Sequence, residues 1–243
     1  AGTTRLVKTG TGTLTLAGAN TYSLGTDIQS GTVSFSAANN LGTGSVAVAA
    51  GATALFSGAS GNATLANAFT GAGVLRLNLA GATAANTFLT GDNSGFTGTI
   101  QVGGTATSNK FNTTGFTGAS ATVVVEDGNT IIVPAAGATF AGLSLVGAGN
   151  AENLGALRIA VGGTLNAPIT LGGATTFSQE GGTIAGAISA TTGAALTLTG
   201  TGSLSLNGAI SGPISITKNG TGSLTFAGAN SYTGPTNITD GTV

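Results

Sequence analysis

One segment of this chain is written twice. Lys8 to Val33 reads KTGTGTLTLAGANTYSLGTDIQSGTV, and Lys218 to Val243 reads KNGTGSLTFAGANSYTGPTNITDGTV. The two align without gaps, with 16 of 26 positions identical, at an offset of 210 residues. Weaker echoes lie between. Gly200-Thr201-Gly202-Ser203-Leu204 precedes Gly220-Thr221-Gly222-Ser223-Leu224 by 20 residues. Gly91-Asp92-Asn93-Ser94-Gly95-Phe96-Thr97-Gly98 resembles the stretch that starts at Ala227. Self-similarity on a spacing of about 20 residues is the mark of a solenoid, whose units bury apolar faces against their neighbours.

The local pattern says what each unit is made of. Gly is 44 of 243 residues and falls every few positions. Each would cost a helix interior about 1 kcal/mol against Ala, so helices are excluded. The apolar signal is short alternation with period two, as in Leu14-Thr15-Leu16, Val46-Ala47-Val48, Leu143-Ser144-Leu145, Leu204-Ser205-Leu206 and Leu224-Thr225-Phe226. Such triplets turn two apolar residues to one face and one polar residue to the other. Gly, Asn and Asp bound them and supply turns. Strands this short do not build an ordinary sandwich, whose strands run to about five or six residues. They suit a parallel coil whose turns lie about 4.8 Å apart. Residues 1–243 are therefore read as one continuous all-β solenoid of roughly a dozen rungs, with clear repeat copies at 8–33 and 218–243 and degenerate rungs between. Its expected length is about 55 Å.

In this coil Leu14, Leu16, Leu224 and Phe226 point inward and stack on like positions of adjacent rungs. Asn20 and Asn230 sit at matching turns, where an amide bonds backbone groups or stacks into a ladder. Tyr22 and Tyr232, the two tyrosines of the chain, occupy equivalent positions. They are read as rung-packing residues. Standing near opposite ends of a rod, they cannot line one ligand site within one subunit. Lys8 and Lys218, at the start of each copy, are read as solvated strand-edge charges that discourage edge aggregation.

Lys8, Gly10 to Leu16, Gly18 to Tyr22 and Gly31 to Val33, with their counterparts from Lys218 onward, resemble the autotransporter passenger-associated repeat of bacterial β-helical surface proteins. The resemblance implies a right-handed parallel β-helix and a secreted or cell-surface setting. The hand also follows the general preference for right-handed crossovers. It implies no particular activity, since such stalks serve many purposes.

Chemistry is sparse. There is no His, Cys, Met or Trp. That removes Ser-His-Asp and Cys-His nucleophiles and His-based metal sites. Of seven acidic residues only Glu126 and Asp127 are adjacent. Gly128-Asn129 follows them, which favours a solvated turn over a carboxylate pair. The Gly-rich stretches have no helix to complete a phosphate site, and the regular Asp-containing calcium nonapeptide is absent. No catalytic residue, metal ligand or cofactor site is assigned. A net charge of −1 with six Lys and Arg argues against nucleic-acid binding. No run of 18 apolar residues offers a membrane helix, so no direct membrane insertion is expected.

The chain starts at Ala1-Gly2-Thr3 and ends inside the repeat, which reads either as a piece of a longer stalk or as a subunit that stacks head to tail on itself. Three function classes follow. The leading one is a structural stalk or filament module, extracellular or on a bacterial surface. The second is an adhesin module that binds a surface glycan or protein through a patch on one face. The third is a polysaccharide-active enzyme, which would need acids converging in a groove; the sequence argues against it.

Overall fold

The computed structural model describes residues 3–58, 61–79, 85–104 and 109–243. Every strand pairing among them is parallel, and the one helical element is the short 3-10 turn Ala38–Leu41. The chain winds as a β-solenoid of about 11 turns.

Each turn visits up to three walls. The first begins with Thr13–Leu16 and continues through Thr32–Phe35, Thr53–Phe56, Val74–Leu77, Thr99–Val102, Thr122–Val125 and Gly142–Gly147. It goes on to the start of Ile169–Gln179, then Ile188–Ser189, Ile210–Gly212 and Ser231–Tyr232. The second wall runs from Ala63–Leu65 to Thr236–Ile238. The 11-residue strand Ile169–Gln179 rounds the corner between these two walls, so they form one nineteen-stranded sheet. The third wall precedes the first in each turn. It is a four-stranded sheet from Leu6–Lys8 to Phe69–Thr70 and a five-stranded sheet from Ala138–Thr139 to Leu224–Phe226.

The period-two pattern fixes which side chains go in. Val33, Phe35, Phe56, Leu75, Leu77, Ile100, Val123 and Val125 are all buried and alternate with half-exposed neighbours. Cα partners then stack like on like: Leu14 under Val33, Leu16 under Phe35, Leu204 under Leu224 and Leu206 under Phe226. Phe35 and Phe56 carry this into ring contact, with centroids 5.5 Å apart. Of the four residues expected to stack inward, Leu224 is buried, whereas Leu14, Leu16 and Phe226 are half-buried.

Corners are set by close backbone approach. Gly186, Gly208 and Gly228 stand above one another, and a Cβ on Gly208 or Gly228 would strike the carbonyl of the glycine one turn before it. Only glycine lets backbone stack on backbone at this spacing.

The two repeat copies differ in one respect that their sequences hide. Lys8 lies on the third wall and Lys218 on the second; Thr13–Leu16 lies on the first and its counterpart Leu224–Phe226 on the third. The second copy is therefore set one wall round from the first. Turn lengths that vary between the copies, such as the steps from Thr53 to Val74 and from Val74 to Thr99, carry the frame round.

Candidate functional site: the repeat corners

Each repeat copy is a pair of stacked rungs with the same register. Leu6, Val7 and Lys8 face Thr26, Asp27 and Ile28. Ile216, Thr217 and Lys218 face Thr236, Asn237 and Ile238. Within that frame the lysines depart from the expectation of a solvated edge charge. Lys8 is 9% exposed and Lys218 fully buried. The parity of the strand explains this: Lys8 follows Leu6, and Lys218 follows Ile214 and Ile216, on the inward face.

A buried ammonium needs acceptors for its three protons. Lys8 Nζ donates to the carbonyls of Thr9 at 2.9 Å, Gly10 at 2.6 Å and Ser30 at 3.2 Å. Lys218 Nζ donates to the carbonyls of Gly220 and of Asp240, the latter at 3.1 Å. Gly10 and Gly220 belong to the lysine's own turn; Ser30 and Asp240 belong to the next. Gly31 shows why the repeat needs glycine there. Its φ is +69°, and a Cβ would lie 2.8 Å from Lys8 Nζ and 2.5 Å from the carbonyls of Gly10 and Gly12. Gly241 holds the same place against Lys218, with φ +75°.

Asparagine corners form the second shared device. Asn20 Nδ2 donates to the carbonyl of Asn40, one turn on, at 2.6 Å. Asn230 Oδ1 accepts from the Ile210 N–H, one turn before, at 2.9 Å. The echo at Gly91-Asp92-Asn93 is structural too, because Asn93 Oδ1 accepts from the Phe69 N–H at 3.0 Å. A buried column through the middle rungs is absent from the sequence reading. Asn109 Nδ2 donates to Asn129 Oδ1 at 2.8 Å, and Thr130 Oγ1 donates to Asn150 Oδ1 at 3.3 Å. Its signal was an Asn recurring every 20 or 21 residues at positions 109, 129 and 150.

The tyrosines pack against the coil. Tyr22 Oη donates to the Asn40 carbonyl at 3.1 Å, and its ring covers Gly42 of the next turn. Tyr232 Oη pairs with Thr236 Oγ1 at 2.6 Å, as Thr26 Oγ1 pairs with Tyr22 Oη at 3.4 Å. The two sit in different turns near the two ends of the coil.

Six charged side chains run up the coil in two ladders. Arg76 reaches Glu126 at 3.1 Å, and Gln101 Nε2 donates to the same carboxylate at 2.9 Å. Lys110 pairs with Glu152 at 2.9 Å, and Arg158 bridges Glu152 at 3.0 Å and Glu180 at 2.7 Å. Glu126 and Asp127 open a turn closed by the Asn129 N–H to Glu126 carbonyl bond, as their sequence implies. Among the described residues no three carboxylates gather as a metal site would need. A shallow surface groove is lined by Ala194, Ala195, Pro213, Ser215, Thr233 and Gly234, which carry no charge.

The family described as passenger-associated-transport-repeat matches residues 6–35 and 216–243. Both matches fall on the segment that the chain carries twice. The first match begins with the strand Leu6–Lys8 and ends with the strand Thr32–Phe35, so it spans two stacked rungs. Comparison with curated proteins and with solved structures gave no match. The repeat matches and the β-solenoid fold suit an autotransporter passenger-like β-helical module. They suggest a secreted or surface location, and among the described residues no helix is long and apolar enough to cross a membrane.

Proposed function

We propose that this chain is a rigid structural element of a bacterial surface or extracellular protein, a spacer or filament module rather than an enzyme. One observation carries the reading: the basic side chains of the wall strands are engaged within the coil, in ion-pair ladders or on backbone carbonyls. Arg76, Lys110 and Arg158 are paired within the rod, and Lys8 and Lys218 are spent on backbone carbonyls. What faces outward between them is neutral and repetitive, as in the row Thr164, Thr183, Ser205, Thr225. Such a surface suits load-bearing and spacing better than acid–base chemistry, which needs convergent groups free to change protonation.

The finer part of the proposal is that copies stack end to end. Both passenger repeats keep the same register, so a rung of one offers the same backbone spacing as a rung of the other. Contacts of this heterologous kind propagate without closing. Electron microscopy across a concentration series tests it. Fibres with an axial repeat of about 4.8 Å are expected. Isolated short rods at every concentration refute the stacking. A glycan- or protein-binding screen with saturable binding to one wall would replace the structural reading with an adhesive one.

A further inference from the structure

The repeat lysines stand in rows that are otherwise apolar. Leu157, Phe177, Leu198, Lys218 and Ile238 are successive partners on the second wall. Lys8 is followed by Ile28 and Val48 on the third. Leu198 is an internal control for Lys218. The turn Thr199-Gly200-Thr201-Gly202 follows it, just as Asn219-Gly220-Thr221-Gly222 follows Lys218. The local turn therefore does not by itself call for a lysine.

What differs is the rung above. Over the turn of Leu198 stands another four-residue turn, and the Gly222 N–H donates to the Gly200 carbonyl at 3.2 Å. Over the turn of Lys218 stands the three-residue turn Thr239-Asp240-Gly241. Over Thr9-Gly10-Thr11-Gly12 stands Gln29-Ser30-Gly31, again one residue shorter. A shorter turn has one N–H fewer to give the carbonyls below it. In both copies the ammonium serves as donor to the lower turn's glycine carbonyl and also reaches the carbonyl of Ser30 or Asp240 above.

We propose that the repeat lysine is a register key, which lets the next rung dock in one frame only. A solenoid needs such a device because neighbouring frames nearly match. A one-residue slip turns apolar side chains outward and is rejected on that ground. A two-residue slip keeps the parity and keeps apolar residues inside. With lysine in the row, that slip carries Ser30 or Asp240 away from the ammonium and leaves a buried charge short of acceptors. Buried charges without partners are heavily penalised. Polar residues in apolar seams are best attested as fixing register in this way. An apolar residue at the same place imposes no such choice.

The chain has no cysteine, so engineered pairs report the frame without background. Thr217 and Asn237 are native partners on the outer face. Thr217→Cys with Asn237→Cys reads the native frame. Thr217→Cys with Thr239→Cys reads the slipped one, because those Cα atoms are about 8 Å apart unless the strand moves, too far for a disulfide. With Lys218 present, only the native pair should close. With Lys218→Met, the slipped pair should close at least tenfold more than in the parent. Val7→Cys paired with Asp27→Cys or Gln29→Cys, in the Lys8→Met background, repeats the test in the other copy. The proposal is overturned if the slipped pairs stay as open as in the parent in both copies. It is equally overturned if neither pair closes, since the lysine would then hold the rung rather than choose its frame.

Discussion

Arg158 Nε lies 2.7 Å from Glu180 Oε1, one turn further along the coil, while its Nη1 lies 3.0 Å from Glu152 in its own turn. One guanidinium thus ties two rungs, with Lys110 joining Glu152 from two rungs before. Arg158 is 19% exposed and the two carboxylates about a third, so solvent screens part of the attraction. Arg158→Ala is expected to cost about 1–2 kcal/mol in low salt. The loss should shrink in 1 M salt, where the screening length falls to about 3 Å. Denaturant midpoints of the variant and parent at two salt concentrations check this; an equal loss at both would assign the effect to packing of the arginine stem.

All three lysines of the chain are buried: Lys8 at 9%, Lys110 at 6% and Lys218 at 0% exposure. An amine-reactive acetylating reagent should therefore modify none of them readily in the folded rod and all three after unfolding. Lys218 should be slowest, because its ammonium is enclosed by carbonyls of two turns. Mass spectrometry of peptides over a time course reads the order directly.

Corner glycines divide into two kinds. A Cβ on Gly208 would meet the Gly186 carbonyl, whereas a Cβ on Gly193 meets nothing within 4 Å. Gly208→Ala should cost about 1–3 kcal/mol, as overpacking does. Gly193→Ala should be neutral or gain up to about 1 kcal/mol through the unfolded chain. Thermal or denaturant unfolding of both variants tests the contrast, and equal behaviour would remove the close-approach explanation.

Asp92 gives a pH signature. The hydroxyl of Ser94, at 2.6 Å, and then the Ser94 N–H, at 3.0 Å, draw its carboxyl below the ordinary 3.8. A depressed folded value means that the carboxylate's contribution is present above about 3.8, the unfolded value, and is lost as pH falls through the folded one. Ser94→Ala should move the Asp92 titration, followed by NMR, back up toward its ordinary value. An unmoved titration would mean that the Ser94 hydroxyl does not set it.

Parity made the coil readable. Leu14, Leu16, Leu224 and Phe226 sit on the alternation, and their inward stacking follows from residue type and period together. The lysines pitted the two signals against each other. Leu6–Lys8 and Ile214–Lys218 carry the alternation straight onto a charge, and the charge suggested solvent. Parity prevailed because stacked turns of unequal length leave carbonyls that only a long donor reaches. That mismatch lies between rungs 20 residues apart, where no local pattern displays it. The Asn109, Asn129 and Asn150 column went unseen for a related reason, since each asparagine looks like an ordinary turn residue until the rungs are superposed. The turn at Glu126 and Asp127 was legible because Gly128-Asn129 is a local signal.

The offset of the two passenger repeats by one wall has a consequence for anything that reads them. An antibody or receptor specific for the repeat meets it twice on one rod, at separated heights and on different sides. A stiff two-headed reader lying flat along one side could engage only one copy. Avidity would need a flexible tether that wraps part of the circumference, or a second rod turned to bring its own copy alongside.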